Sequence, residues 1–199
     1  MDVAIILKTP ELKDVVKEEY VIYADAGYKF KDKIGDKKVL SVVGDFDSLG
    51  APPKDEKVIT LNAEKDFTDG ERAVILAKEL GATAITIYGA NGGRLDHILG
   101  NLTLLKKAKE LGVFAKIVDN NLTIKLVSGK VKLKVKKDTA LSFIPFGEKC
   151  VFESSKNLYY PLDNLTLTNG NTRGISNKTL SDKVEFNITF GESLVIFEE

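Results

Sequence analysis

Two aspartates stand two residues apart in Gly44-Asp45-Phe46-Asp47-Ser48, directly after a run of β-branched residues. In an extended segment, side chains at this spacing point the same way, so both carboxylates can face one ligand while Phe46 turns to the opposite side as an anchor. Magnesium prefers oxygen ligands and is usually held by one or two carboxylates together with substrate phosphates. The spacing therefore indicates a magnesium site that handles phosphate groups; a polar turn that uses aspartate for its own hydrogen bonds is the alternative.

Three further segments carry acidic, cationic or glycine residues after predicted strands. Asp25-Ala26-Gly27 follows one strand, and Lys65-Asp66-Phe67-Thr68-Asp69 enters a helix, where capping alone could account for Thr68 and Asp69. Residues 89–97 form a glycine-rich loop before a helix, where backbone amides can approach a phosphate and Arg94 can add a forked donor pair. Because parallel sheets place ligand sites at the carboxyl ends of their strands, we expect these segments to share one site.

The elements that must position these residues alternate between β-branched runs and helix-like stretches up to residue 120, which predicts an α/β domain with a mostly parallel sheet. One helix is predicted for residues 68–80, where Thr68 and Glu71 have the spacing of a capping box. Another is predicted for residues 94–111, with an apolar stripe that we expect to be buried. The predicted strands cover residues 3–7, 20–24, 39–43, 58–61, 84–88 and 113–118. The stripe consists of Leu95, Ile98, Leu99, Leu102, Leu105 and Ala108.

After residue 120 the pattern changes to alternating apolar and polar residues, with turn signals such as Ser128-Gly129 and Asn169-Gly170. This pattern is typical of short antiparallel strands. We therefore predict two domains, an α/β domain over residues 1–120 and an all-β domain over residues 121–199 that forms a sandwich or flattened barrel. The single cysteine, Cys150, is expected in the core of the second domain.

The composition excludes several classes of function. Lys+Arg and Asp+Glu are both 29, so the net charge is zero and does not favour bulk electrostatic binding of nucleic acid or of an acidic membrane. No apolar run reaches the roughly 20 residues that cross a bilayer, and no signal peptide is recognisable, so we expect a cytoplasmic protein. One cysteine and one histidine cannot form a usual zinc site or an intrachain disulfide.

The motifs of the first half resemble, in order along the chain, those of thiamin pyrophosphokinases. Gly44-Asp45-Phe46-Asp47-Ser48 matches the most distinctive motif of that family in full. Asp25-Ala26-Gly27 is similar to its Asp-Gly-Gly segment with Ala26 in place of one glycine, which could alter the backbone approach at that turn. Lys65-Asp66-Phe67-Thr68-Asp69 resembles its Lys-Asp-x-Thr-Asp segment, and Gly92-Gly93-Arg94-Leu95-Asp96-His97 with Asn101 resembles its Gly-Gly-Arg-x-Asp-His segment.

The second half also carries segments that resemble the β-domain of the family, namely Ser142-Phe143-Ile144-Pro145, Leu158-Tyr159-Tyr160-Pro161-Leu162 and Gly174-Ile175-Ser176-Asn177. The resemblance implies an ATP- and Mg2+-binding catalytic α/β domain and a β-sandwich domain for thiamin binding and dimerisation. It implies a homodimer with active sites between protomers. The implied reaction transfers the β,γ-diphosphate of ATP to the hydroxyl of thiamin and releases AMP.

Site residues follow from the same resemblance. Asp45, Asp47 and Asp69 are the expected metal ligands. Catalytic roles are expected for Asp45, Asp47, Lys65, Asp69 and Asp96, and ATP contacts for Asp25, Ser48, Thr68, Gly92, Gly93, Arg94 and His97. Ser176 and Asn177 are expected near thiamin. The chain has no tryptophan, so Tyr160 is a candidate for stacking on thiamin, with a position in the sandwich core as the alternative.

Several alternatives stay open at this point. The general base could be Asp69, Asp96 or His97, and His97 could equally be a structural or substrate-orienting hydrogen bonder. The acceptor could be another alcohol, such as a hydroxymethyl pterin, although Gly174-Ile175-Ser176-Asn177 favours thiamin. A magnesium-dependent phosphohydrolase and a non-catalytic nucleotide or thiamin sensor are the rival functions.

Overall fold

The computed structural model of the chain describes residues 1–62, 64 and 66–198. It divides into two compact units, Met1–Asn120 and Asn121–Glu199. Among the described residues, neither of the two α-helices combines the length and apolar character that a membrane crossing demands.

The first unit is built on a parallel sheet. Its strands are β1 (Asp2–Ile6), β2 (Tyr20–Ala24), β3 (Lys38–Gly44), β4 (Val58–Thr60), β5 (Ala84–Tyr88) and β6 (Phe114–Asp119). They lie in the order β6-β5-β1-β2-β3-β4, and every neighbouring pair is parallel. After Asp2 the central strand β1 is apolar, and its residues 3–6 are fully buried, as expected for a strand covered on both faces. The parallel pairing agrees with the prediction from sequence.

Two α-helices and one 3₁₀ helix accompany this sheet: the 3₁₀ helix Asp25–Phe30, α1 (Asp69–Glu79) and α2 (Leu95–Glu110). At the start of α1 the Thr68 hydroxyl accepts a hydrogen bond from the Glu71 backbone amide at 3.1 Å. The Glu71 carboxylate instead pairs with Lys107 of α2 at 2.9 Å. The predicted capping box is therefore half formed, because its acidic member serves the contact between the helices.

The burial expected along α2 is wrong for its first two turns. Leu105 and Ala108 of the predicted stripe are buried, but Leu95 and Leu99 are 70% and 56% exposed. The helix packs against α1 and β6, and its buried residues are Leu104, Leu105 and Ala108, whereas residues of its first turns line a cleft. The spacing alone predicted one continuous buried stripe, but in the described part of this unit the stripe is buried only in the second half of the helix.

The second unit contains only antiparallel strand pairs and, over residues 121–198, no α-helix. The strands are β7 (Leu122–Lys134), β8 (Ala140–Pro145), β9 (Lys149–Lys156), β10 (Leu165–Thr168), β11 (Asn177–Lys178) and β12 (Lys183–Glu198). Strand β12 pairs with β7; its first half also pairs with β9 and its second half with β8. The pairing of β12 with β7 shifts register between Ile188 and Ser193, a stretch that contains Gly191 at φ +77°.

One apolar core joins the two sides of this bent sheet. Phe143 of β8 packs edge-to-face against Phe152 of β9 and Phe186 of β12, with ring centroids 5.5 and 5.2 Å apart. Cys150 is fully buried in the same core, as predicted, and burial raises the pKa of its thiol to about 11. A buried thiol with a raised pKa is unreactive, which agrees with a packing role.

Candidate active site

A cleft of about 780 Å³ opens in the first unit at the carboxyl ends of its strands. Residues following β1, β2, β3 and β5 line it, together with the first turns of α1 and α2. This is the position at which parallel sheets place their ligands. The polar lining residues are Lys8, Thr9, Asp25, Asp45, Asp47, Ser48, Thr68, Asp69, Arg94, Asp96, His97 and Asn101, with glycines at 70, 92, 93 and 100.

Three carboxylates converge in this cleft. One oxygen from each of Asp25, Asp45 and Asp47 lies within 4.8 Å of the others. Asp25 is buried, and its Oδ1 has no hydrogen-bond partner among the residues that the structure describes. A buried carboxylate oxygen without a donor is costly unless a cation neutralises it. The donor set therefore fits a hard divalent cation such as magnesium, which takes oxygen ligands.

The backbone brings these carboxylates together. Strands β2 and β3 pair with Ala24 opposite Val43, which places Asp25 beside Gly44. A Cβ at Gly44 would lie 3.1 Å from both Cα and Cβ of Asp25, so glycine allows the close approach. Phe46 is buried in the core, which confirms its expected role as an anchor. The expectation of an extended segment is wrong, because Phe46 has φ +63° and the Asp47 amide donates to Asp45 Oδ1 at 3.2 Å, as in a turn.

Gly27 holds the other side of the Asp25 turn. A Cβ at Gly27 would lie 2.1 Å from the carbonyl oxygen of Ile6, at the end of β1. The neighbouring Ala26, where the family has glycine, is buried. The close backbone approach in this chain is thus made by Gly27, and the alanine methyl is accommodated in the interior.

Two linked hydrogen bonds favour the ionised form of the Asp47 carboxyl group. The Ser48 hydroxyl donates to Asp47 Oδ1 at 2.9 Å, and Lys8 Nζ donates to Ser48 Oγ at 2.8 Å. The hydrogen bond from Ser48, aided by the positive charge of Lys8, lowers the pKa of Asp47. Asp47 therefore stays ionised under mildly acidic conditions, as a metal ligand requires.

The glycine-rich loop is held from several sides. The Asn101 side-chain amide donates to the carbonyl oxygen of Ala90 at 3.0 Å, and the Asn91 backbone amide donates to Asp119 Oδ2 at 2.6 Å. A Cβ at Gly92 would lie 2.3 Å from Thr9 Oγ1, so the loop packs closely on the segment after β1. Backbone amides of this loop are thereby held at the amino end of α2, where an anion is favoured.

At the rim of the cleft Arg94 and Asp96 form a two-bond ion pair. Arg94 Nε and Nη2 donate to the Asp96 carboxylate at 3.2 and 2.6 Å, and the His97 backbone amide donates to it at 3.0 Å. The hydrogen bonds from Arg94 first, and from the His97 amide, lower the pKa of Asp96. While Arg94 is paired with it, Asp96 is a weaker base than an ordinary carboxylate.

The cleft brings together nearly all residues that the sequence predicted for ATP and metal. Asp69 lines it at the start of α1 but lies outside the group of three converging carboxylates, in which Asp25 stands instead. Lys65 lies outside the described residues. Lys8, Thr9 and Pro10 were not predicted, although they follow β1 just as the other site segments follow their strands.

The residues predicted to contact thiamin lie in the second unit. Asn177 is buried; its Oδ1 accepts from the Tyr160 amide at 3.1 Å and its Nδ2 donates to the Tyr160 carbonyl oxygen at 2.7 Å. Tyr160 is 60% exposed and contacts Tyr159 edge-to-face, so the alternative that it is a core residue is wrong. Ser176 is exposed at φ +59°, beside Gly174, whose Cβ would lie 2.2 Å from the Phe143 carbonyl oxygen.

Comparison with known proteins identifies consistent relatives. The family described as "Thiamin pyrophosphokinase, catalytic domain" matches residues 13–115, and "Thiamin pyrophosphokinase, vitamin B1 binding domain" matches residues 130–195. The thiamine pyrophosphokinase of Bacillus subtilis is 33% identical over 165 residues, covering 79% of this chain and 77% of that protein.

Solved structures agree with this relationship over the whole chain. The crystal structure of the Bacillus subtilis thiamine pyrophosphokinase matches with a TM-score of 0.86 at 28% identity, covering 100% of this chain and 99% of that one. The thiamin pyrophosphokinase of Geobacillus thermodenitrificans matches with a TM-score of 0.84 at 28% identity, covering 100% and 98%.

Proposed function

The chain belongs to the thiamin pyrophosphokinase family, and from that premise we propose that the cleft of its first unit binds ATP with a divalent cation. The enzyme transfers the β,γ-diphosphate of ATP to the hydroxyl of thiamin, giving thiamin diphosphate and AMP. The single observation that carries the assignment of the site is the convergence of Asp25, Asp45 and Asp47, with a buried oxygen of Asp25 that no donor in the described part of the chain contacts.

We assign magnesium to Asp25, Asp45 and Asp47. Asp69 lines the same cleft, and a role for it as a further ligand stays a prediction. When bound, magnesium offsets negative charge on the phosphate oxygens that develops during transfer. The residues around it contribute by holding the carboxylates ionised, chiefly the hydrogen bond from Ser48 to Asp47.

The phosphates of ATP are assigned to the glycine-rich loop and its neighbours. Backbone amides near Gly92 and Gly93 offer donors at the start of α2, and the Ser48 and Thr68 hydroxyls face the same cleft. Arg94 can add two donors once its guanidinium exchanges Asp96 for phosphate. Lys65 is expected to contribute a further cation.

In the transfer step the hydroxyl oxygen of thiamin attacks the β-phosphorus of ATP. A bond forms between these two atoms, and the bond from the β-phosphorus to the α,β-bridging oxygen breaks, so AMP leaves. The hydroxyl proton passes to a base in the cleft, for which Asp69, Asp96 and His97 are the candidates. Catalysis then depends mainly on positioning and on charge stabilisation, as in phosphoryl transfer generally.

The second unit supplies the assigned thiamin site. Tyr160 is exposed and available for stacking, and Ser176 carries an exposed hydroxyl, whereas Asn177 holds the Tyr160 main chain in place. We further propose that this unit is a β-sandwich, because β8 and β9 share one core, and that the enzyme is a cytoplasmic homodimer with active sites between protomers.

One assay tests the proposed function and its rivals. The protein is incubated with ATP and magnesium, with and without thiamin, and AMP, ADP, phosphate and thiamin diphosphate are resolved. We expect AMP and thiamin diphosphate in equal amounts only when thiamin is present, and loss of both in Asp45→Asn but not in the exposed control Asp36→Asn. Phosphate release without thiamin indicates a phosphohydrolase, AMP only with a hydroxymethyl pterin indicates another acceptor, and binding without turnover indicates a sensor.

A further inference from the structure

Lys8 is a cation in the cleft that has so far been described only through its hydrogen bond to Ser48 and its effect on the pKa of Asp47. It lies just after the central strand β1, on the wall that also carries Asp47 and Ser48. Its Nζ donates to Ser48 Oγ at 2.8 Å. An ammonium has three donors, so two of them are not used in this bond.

The main chain holds Lys8 firmly at this place. The Leu7 amide donates to the Tyr88 carbonyl oxygen at 2.9 Å, which extends the pairing of β1 with β5 by one residue. A Cβ at Gly89 would lie 2.9 Å from the Leu7 carbonyl oxygen, and a Cβ at Gly92 would lie 2.8 Å from Pro10 Cδ. Glycines of the phosphate-facing loop therefore pack on both sides of Lys8.

The charges of the cleft distinguish Lys8 from Arg94. The Arg94 guanidinium is paired with the Asp96 carboxylate, whereas Lys8 contacts a neutral hydroxyl and has no carboxylate at ion-pair distance within the described part of the chain. Lys8 thus presents an ammonium whose charge is not neutralised by a contact ion pair, next to the three converging aspartates. Phosphate oxygens of a nucleotide that shares a cation with those aspartates would lie within its reach.

We infer that Lys8 binds oxygens of the β- or γ-phosphate of the nucleotide, which makes it a specificity residue for the triphosphate over the monophosphate product. This inference rests on the proposed function of the cleft. Without nucleotide, Ser48 occupies one donor of the ammonium; with nucleotide, the other two donors serve the phosphate. A lysine acts here as a compact point charge with rotatable donors, which suits a flexible polyphosphate.

The test compares Lys8→Met with Lys8→Arg and with the control Lys13→Met. Lys13 belongs to the same connecting segment after β1 but is exposed beside Glu11 and does not line the cleft. Calorimetric titrations with magnesium measure the Kd of AMP and of α,β-methylene ATP, which cannot undergo the transfer. We expect Lys8→Met to raise the Kd of the triphosphate analogue roughly ten- to hundredfold, which is the range for loss of a charge-assisted hydrogen bond, and to change the Kd of AMP by less than about twofold. Lys8→Arg should recover part of the loss.

Ser48→Ala separates contact from positioning. Ser48→Ala alone should weaken the binding of the analogue, because Ser48 also faces the phosphates; if Lys8 acted only by holding Ser48 and Asp47, the double variant Ser48→Ala/Lys8→Met would bind the analogue no more weakly than Ser48→Ala. The inference would also be overturned if Lys8→Met bound the analogue as tightly as the unmodified chain does. The same holds if Lys8→Met weakened the binding of AMP as much as the binding of the analogue. Failure of the proposed function gives a different result, since the unmodified chain would then form no thiamin-dependent AMP. The Kd values would still show whether Lys8 contributes to binding of the triphosphate analogue.

Discussion

Asp25→Asn should stabilise the metal-free protein while removing its response to magnesium. Asparagine matches aspartate in volume and tolerates the positive φ of +44° at this position, so the backbone is retained. The exchange removes one of three converging negative charges and replaces an unpartnered oxygen with an amide that can donate to a neighbouring carboxylate. Without a cation, the native cluster is therefore less favourable than the substituted one.

The size of this effect follows from the separation of the carboxylates. Two unit charges at the 4.8 Å limit of the cluster repel by about 3.5 kcal/mol at an effective dielectric constant of about 20. Asp45 is only half-buried, and solvent and salt screen its interaction with Asp25, which reduces the expected gain to about 1 kcal/mol. For a chain of this size that corresponds to a rise in Tm of roughly 2–4 °C.

The assay is thermal unfolding with and without magnesium, read together with turnover. The unmodified chain should gain Tm on addition of magnesium and nucleotide, because a ligand that binds only the folded state stabilises it. The metal-free Asp25→Asn variant should have a higher Tm than the unmodified chain, and magnesium and nucleotide should raise that Tm only slightly. Its turnover should fall by at least about a hundredfold, because a metal ligand and its positioning are lost. Asp36→Asn, an exposed aspartate outside the cleft, should behave like the unmodified chain in all three measurements.

Two results would refute this reasoning. The first is a metal-free Asp25→Asn protein that melts at or below the temperature of the unmodified chain, which would mean that the carboxylate cluster is not under electrostatic strain. The second is an undiminished magnesium-dependent rise in Tm in the same variant, which would remove Asp25 from the metal site.

Three further predictions concern packing and charge. Gly27→Ala should lower the free energy of unfolding by about 1–3 kcal/mol in urea titrations, because its methyl would meet the Ile6 carbonyl oxygen; an unchanged midpoint contradicts this. Ser48→Ala should raise the pKa of Asp47 toward the ordinary value of about 3.9 in an NMR titration, so magnesium binding should fail at higher pH than in the unmodified chain. Asn177→Ala should cost about 1–3 kcal/mol of stability, because it leaves buried main-chain groups unpaired; wild-type stability with weakened thiamin binding would instead identify a direct contact.

Much of the first unit could be predicted from local pattern. Short β-branched runs such as Tyr20–Ala24 and Ala84–Tyr88 coincide with strands, because a strand buried on both faces must be apolar throughout. The strand ends then indicated where chemistry would lie. What local pattern could not supply was which carboxylates meet: the pairing of Ala24 with Val43 brings Asp25 to the Asp45 turn, and register between strands is a tertiary property.

The predictions that were wrong or incomplete also depend on tertiary packing. The apolar spacing of α2 predicted burial at Leu95 and Leu99, but a periodic stripe does not reveal where the covering element ends. Lys8 was missed because a single lysine after a strand has no motif around it, and its significance comes from its hydrogen bond to Ser48 in the folded cleft. For Tyr160, residue type alone did not distinguish burial from exposure. In the fold, Asn177 binds the main chain of Tyr160 and the side chain of Tyr160 is exposed.

The central claim is that this chain moves the terminal diphosphate of ATP as one unit to thiamin. Its most direct measurement uses two preparations of ATP, one with radiolabelled phosphorus at the α position and one at the β position, with magnesium and thiamin present. We expect the α label only in AMP and the β label only in thiamin diphosphate. A β label found in ADP or in free pyrophosphate would contradict it.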